Sequence, residues 1–383
     1  NVWSYWLMAA NNVLTIQCMD PIQYPGTVSL HVHSMLGGSN FSLNLSTADL
    51  WGSDCMLIPV QEDKSSYWYL VHSYLLKKDG TFVTVSGSAM MYTCADYLFS
   101  DNSSLMTPFP DDVTLTVHAG DPNLCHTLNA SSFTQQAITF LCLNFNSVST
   151  KYNELPINQD CSSGIQLQIL HPQNMDLEDH KSHVVFPSMG PDNGMCEDPN
   201  YPVTIPWIFM EVYWVMQGFQ DQFLNGNPTG YSYHTDFSNC WESSVLQKAI
   251  SKCHCNPYGD PLCCVAAGMF TIDQNARCFI LNTIDEITTG NLSMLPGANP
   301  VQAPCYEEYV AMYMPVIVGP VYASTEESVV PNGMTEVVVS ARMVDGGGMK
   351  PNGRCLWMGG ARITRVPEVV LMVGVVMMIM GFV

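Results

Sequence analysis

Short apolar runs, each closed within a few residues by glycine, proline, asparagine or aspartate, constrain this chain more than any other feature. Residues 27–36 (TVSLHVHSML), 81–87 (TFVTVSG) and 112–122 (DVTLTVHAGDP) set alternating or β-branched apolar positions between turn residues. A period of two with such punctuation specifies strands with one buried face. Residues 1–295 are therefore expected to form a large β-rich domain of the mainly β (α+β) class with a few accessory helices. Helical patterning is confined to residues 131–143 (SSFTQQAITFLCL, after a serine cap), 207–219 (WIFMEVYWVMQGF, after Pro206) and 242–253 (ESSVLQKAISKC). Trp207, Tyr213, Trp214 and Phe219 fall near helical spacing, which makes them core residues rather than a sugar-stacking platform.

At 383 residues and 47% apolar composition, the chain is long enough to bury a sizeable core and too apolar for general disorder. Thirteen basic against thirty-four acidic residues give a formal charge of −21, a field that repels nucleic acid and anionic membranes. Fifteen cysteines are spread along the chain, which predicts disulfides formed in an oxidising compartment, with at least one thiol left unpaired within the chain by the odd count. Cys253, Cys255, Cys263 and Cys264 also offer zinc-type spacing, but disulfides are the preferred reading in a secreted chain. Acceptor triplets at Asn40, Asn44, Asn102, Asn129 and Asn291 predict N-linked glycans and a secretory route. The absence of a charged-then-apolar leader before Asn1 is read as a signal peptide already removed.

Proline and glycine density rises over residues 293–304 (SMLPGANPVQAP), and a boundary is placed there between residues 1–295 and a C-terminal β-module, 296–383. That module holds four strand-like runs and no helical pattern, too few strands for a two-sheet core of its own. Its last fifteen residues, 369–383, carry no charge. As a membrane span they are short of the roughly twenty residues required. As the tail of a lipid-anchor signal they lack a good polar spacer. A buried strand, bent at Gly374 and Gly381, fits the valine and methionine richness and needs a partner sheet, in the same chain or the next subunit.

Five of the ten histidines fall into three short motifs. His31 and His33 sit at i and i+2 of a strand, so both face one side of the sheet. Residues 176–183 (DLEDHKSH) supply Asp176, Asp179, His180 and His183, and residues 226–237 (GNPTGYSYHTDF) supply His234 with Asp236 two positions on. A carboxylate at that spacing orients an imidazole and fixes its tautomer. Each motif alone has a bland reading as a satisfied turn or core histidine; together they predict one joint polar site, with His31, His33, His183 and His234 as candidate ligands of a divalent metal. No phosphate-binding glycine loop, Gly-x-Ser-x-Gly elbow or His-Glu-x-x-His is present.

Taken in order, residues 20–41 (DPIQYPGTVSLHVHSMLGGSNF), 62–82 (EDKSSYWYLVHSYLLKKDGTF), 118–122 (HAGDP), 176–188 (DLEDHKSHVVFPS), 211–214 (EVYW) and 226–237 resemble the successive signatures of a secreted, mainly fungal family catalogued as DUF1996. The resemblance runs from about Trp6 to about Cys264. It implies shared polar positions at Asp20, His31, His33, Lys64, Asp121, Asp176, His180, Lys181, His183, His234 and Asp236, and company with carbohydrate-binding WSC modules. It implies no particular reaction. The chain departs from the family pattern in three places: Cys55 stands without a second nearby cysteine, residues 170–177 (LHPQNMDL) lack a Cys-Trp pair, and Asn227 replaces an aspartate between Gly226 and Pro228.

Two functions follow as expectations. The first is a secreted glycoprotein that self-assembles head to tail, inserting its uncharged C-terminal strand into the next subunit to build a filament at the cell surface or in matrix. The second is a glycan-binding or polysaccharide-cleaving enzyme that uses His31, His33, Lys64, Asp176, Asp179, His180, His183, His234 and Asp236.

Overall fold

A computed structural model describes residues 5–298, apart from 71–73, 77–79, 85–86, 95–105, 112, 119–131, 157–158, 173, 176–183, 192–197, 215–222, 225–232 and 254–259, together with 316–317. Eleven strands make two principal antiparallel sheets. They are β1 (Tyr5–Ala9), β2 (Thr15–Gln17), β3 (His33–Leu36), β4 (Ser66–Leu70), β5 (Gly87–Cys94), β6 (Thr114–His118), β7 (Ile138–Cys142), β8 (Thr150–Tyr152), β9 (Ile165–Leu170), β10 (Trp207–Trp214) and β11 (His234–Ser238). The six-stranded sheet runs β1-β5-β10-β9-β7-β8 and the five-stranded sheet β2-β3-β4-β11-β6. Three smaller antiparallel sheets, of three, four and two strands, and four α-helices, α1 (Thr47–Trp51), α2 (Phe133–Gln136), α3 (Ser243–Lys252) and α4 (Leu262–Ala266), accompany them among the described residues. The protein is mainly β with accessory helices, as the turn-punctuated sequence predicts.

Two of the three helical expectations need correction. Residues 207–214 form a central strand whose eight side chains are all buried, paired on one side with β5 and on the other with β9. A strand covered on both faces loses the polar alternation that marks strands, and its apolar run then mimics a helix; the Trp, Ile, Phe, Val and Tyr content is the better guide. Residues 131–143 keep only one helical turn, α2, and then continue as β7. Only α3 forms as expected, with Leu246, Ala249 and Ile250 buried on one stripe.

A single hydrophobic cluster spans both sheets. Tyr233, just ahead of β11, meets Phe140 of β7 and Trp214 of β10 at ring separations of 5.2 and 6.1 Å, which carries contact from one sheet to the other. Tyr67, Phe109 and Phe237 stack on the inner face of the five-stranded sheet, while Trp68 on its other face packs edge-on against Phe41. Disulfides join Cys55 to Cys278, Cys142 to Cys161 and Cys253 to Cys264, and Cys263 is also disulfide-bonded. The disulfide reading of the Cys253 region holds over the zinc one. Cys18 and Cys240 are buried as thiols.

Beyond residue 295, Pro296–Ala298 form a tight turn and residues 316–317 pair with 284–285; the rest of the expected C-terminal β-module, 296–383, lies outside the described residues. The uncharged tail 369–383 lies outside the described residues. No helix among the described residues is long and apolar enough to cross a membrane.

Candidate functional site

The site is assembled on the outer face of the five-stranded sheet. Antiparallel register aligns Gln17, His33, Leu70, His234 and His118 in one row across β2, β3, β4, β11 and β6. Directly opposed residues share a face, so His33 and His234 stand on the same side with Leu70 between them. Asp236, two residues along β11, stands on that side as well. His31 precedes β3 by two positions and is carried in by the same alternation. What locks β3 in register is Gly37, with φ at +137°, whose absent side chain would lie 2.6 Å from the Ser66 hydroxyl and 2.9 Å from the Ser65 carbonyl.

The three imidazoles converge on one nitrogen. Nε2 of His234 lies 2.8 Å from Nε2 of His33, 3.3 Å from Nε2 of His31 and 3.6 Å from Oδ2 of Asp236. The rings sit 4.7 to 5.0 Å apart, centre to centre. His33, His234, Asp236 and Asp20 are buried, whereas His31 is partly exposed and opens the cluster toward solvent. Asp20 joins His33, His234 and Asp236 with ligand atoms within 4.8 Å of one another. Its Oδ1 accepts the backbone N–H groups of Ile22 and Gln23 at 3.1 and 3.0 Å, which fixes the carboxylate on a turn directly after β2.

One ring nitrogen has a single in-plane position for a proton or a lone pair, so Nε2 of His234 has no tautomer that satisfies three neighbours at once. A divalent cation resolves this, because every imidazole can then offer its lone pair. A tetrahedral ion with bonds of 2.0–2.1 Å sets its nitrogen ligands about 3.3 Å apart, the separation found between His31 and His234, whereas the 2.8 Å between His33 and His234 is shorter and is a hydrogen-bond distance. Two carboxylates buried beside the imidazoles supply the negative charge that such an ion neutralises.

A family model described as a domain of unknown function (DUF1996) matches residues 20–241, more than half of the chain. The chain belongs to the DUF1996 family. The matched stretch begins at Asp20 and runs past Asp236, so all five groups of the cluster lie inside the DUF1996 region. No curated protein and no solved structure matches the chain.

Other residues picked out by sequence fare differently within this DUF1996 chain. Lys64 does not join the cluster: its ammonium lies 5.8 Å from the Trp51 ring centre, and six residues separate it from Leu70, a span of roughly 20 Å along an extended strand. Its own N–H donates to the Cys240 carbonyl at 3.0 Å and the Ser65 hydroxyl accepts the Cys240 N–H at 2.8 Å, which holds Lys64 half-buried ahead of β4. Asp121, Asp176, Asp179, His180, Lys181 and His183 lie outside the described residues, as do Asn102 and Asn129. Asn44 and Asn291 are exposed, while the Asn40 amide donates to the Asp49 carbonyl at the end of α1, 3.1 Å away. Asp20 was reached through the family resemblance alone.

A histidine outside the motifs supports the site from behind. His171, just after β9, donates to or accepts from the Thr235 hydroxyl at 2.9 Å, on the face of β11 opposite His234 and Asp236. Full burial pushes its pKa down to about 3, so the ring is neutral and pins β11 to the six-stranded sheet. Asp63, at the head of β4, accepts the Ser65 N–H and the Tyr67 hydroxyl, and burial raises its pKa to about 6.

Proposed function

We propose that this protein is a secreted metalloprotein that holds one divalent transition-metal ion through His31, His33 and His234, with Asp236 and Asp20 beside them, and uses it on an extracellular polysaccharide. The convergence of three Nε2 atoms on one point, against two buried carboxylates, carries the reading. His33 at the start of β3, His31 two residues ahead of it and His234 on β11 leave coordination positions open, the pattern of a catalytic rather than a closed structural ion. Bound there, the ion would lower the pKa of a coordinated water and act as a Lewis acid. Asp236 would hold the His234 ring in orientation, and His31 would stand at the solvent side. The disulfides suit an oxidising, extracellular setting, and the −21 charge argues against nucleic acid as substrate. The polysaccharide is proposed from the expected association of such domains with carbohydrate-binding modules.

The test is turnover of neutral polysaccharides by the full chain, with and without a chelator, beside His33→Ala. Turnover lost in both the chelated and the variant protein supports the proposal. Turnover that survives both, or a full set of neutral polysaccharides left untouched by metal-loaded protein, overturns the enzymatic part.

The uncharged segment 369–383 supports a second reading, a subunit that assembles by strand insertion into its neighbour. Electron microscopy of the native protein beside a chain ended at Glu368 decides it. Filaments in the first and separate particles in the second support assembly; separate particles in both exclude it.

A further inference from the structure

The three imidazoles of the cluster are not held alike. His33 and His234 stand in β3 and β11, whose places the sheet ladder fixes. His31 lies ahead of β3, outside any strand, and is the partly exposed member. Its loop is held from two directions. On one side Ser29 donates its N–H to the Cys18 carbonyl at 2.8 Å and its hydroxyl to the His31 carbonyl at 2.5 Å. On the other, the turn Pro296–Ala298 sets Gly297 against the peptide group that joins Leu30 to His31. Gly297 has φ at +74°, and a Cβ on it would fall 2.7 Å from the Leu30 carbonyl oxygen and 2.9 Å from the Cys18 sulfur. The segment that leads into this turn also grips Cys18 and β2. Oε1 of Glu286 accepts the Cys18 N–H at 2.6 Å, the Gln17 side-chain oxygen accepts the N–H groups of Thr283 and Ile284 at 2.6 and 3.0 Å, and the Thr288 hydroxyl donates to the Ile16 carbonyl at 2.8 Å. All of these contacts come from beyond residue 241, where the family match ends.

We infer that residues 283–297 are a clamp that sets His31 against the ion, with Gly297 and Glu286 as its positioning residues, which rests on the metal reading of His31, His33 and His234. At Gly297 the neighbour is a backbone carbonyl and no flexible side chain stands there to yield, so a side chain at 297 acts on the Leu30–His31 peptide itself. At Glu286 the carboxylate fixes Cys18, whose carbonyl in turn fixes Ser29, two residues from His31. Groups that orient a ligand from outside the coordination shell alter metal affinity by about ten- to a hundredfold. The sheet therefore supplies two of the imidazoles in place, and the clamp supplies the third.

The test is titration of the full, metal-stripped chain with cobalt(II) in the native protein, Gly297→Ala and Glu286→Ala, followed at saturating cobalt by acylation of histidine rings with diethyl pyrocarbonate, read at His31 by mass spectrometry. The native chain is expected to bind one ion and to shield His31 from acylation. Gly297→Ala is expected to lose affinity on the order of tenfold and to leave His31 open to acylation even when the ion is bound. Glu286→Ala, which keeps the glycine turn and removes the acceptor of the Cys18 N–H, is expected to show both changes in smaller measure, and it reads the clamp should Gly297→Ala fail to fold. Thermal unfolding of the metal-free variants within a few degrees of native identifies those that fold. Native affinity, or a weakened site that still shields His31, in the folded variants overturns the inference and leaves the three-histidine site intact. A native chain that binds no cobalt overturns the site itself, and this inference with it.

Discussion

Two buried polar clusters lie on the two sheets, and they differ in how their bonds are arranged. On the six-stranded sheet the bonds run in line. Thr139 donates to Gln168, Gln168 donates to one oxygen of Glu211, Tyr213 donates to the other at 2.6 Å, and Gln166 donates to the Tyr213 hydroxyl. Each contact there has one donor and one acceptor, and burial reinforced by the Glu211 charge pushes the Tyr213 phenol well above its ordinary range, so it stays a donor. On the five-stranded sheet the contacts are radial: two imidazole nitrogens and a carboxylate oxygen face one nitrogen of His234. The linear chain pairs each of its donors with one acceptor and leaves only the Gln166 side-chain oxygen without a partner. The radial arrangement is the one that the proposed cation would complete. The comparison separates a buried network that stabilises a fold from one that forms a site.

The sharpest way to break this contrast is to remove Glu211. Glu211→Ala leaves the Tyr213 hydroxyl and the Gln168 amide buried without their acceptor, and unfolding stability is expected to fall by about 3 kcal/mol, equally with and without chelator. Chemical denaturation in both conditions checks it. His234→Ala should behave in the opposite way. Its metal-free stability is expected to stay close to native, while the stabilisation that an ion at one hundred times its dissociation constant gives the native chain, about 2.7 kcal/mol, should disappear. A metal-independent loss in His234→Ala would place the histidines in the same structural class as the Glu211 network.

Acid titration sharpens the comparison further. His171 has its pKa lowered on folding, so its contribution is intact above its unfolded value near 6.5 and is lost as pH falls toward 3. Asp63 has its pKa raised from 3.8 to about 6, so its contribution is present below 3.8 and is lost as pH rises through 6. Between about pH 4 and 6 the two slopes oppose, each roughly 1.4 kcal/mol per pH unit. His171→Gln is therefore expected to make the protein relatively more stable on acidification through that window, and Asp63→Asn relatively less. Denaturation midpoints at pH 4, 5 and 6 read both; slopes that match native in both variants would remove these residues from the account.

Much of the site was legible because strand alternation is a local rule. His31 with His33, and His234 with Asp236, each follow from a spacing of two. That the two pairs meet was expected as a joint polar site, but the means was not legible, since it depends on β4 lying between β3 and β11, a contact across some two hundred residues. Asp20 is brought in by the turn that follows β2, and that leaves no ligand-type spacing in its own neighbourhood. Lys64 looked like part of the site by resemblance, yet lies at the far end of its strand, over Trp51. The misread strand at Trp207–Trp214 has the same origin, because burial on both faces is decided by partners distant in sequence.

The central claim, that the radial cluster holds an ion, is tested most directly by elemental analysis of the full chain purified without chelator, followed by calorimetric titration of the stripped protein with zinc. The account predicts close to one transition-metal ion per native chain and none in a His33→Ala, His234→Ala double variant that folds normally. No ion in the native chain and no heat on titration would contradict it, and would return the three histidines to the fold.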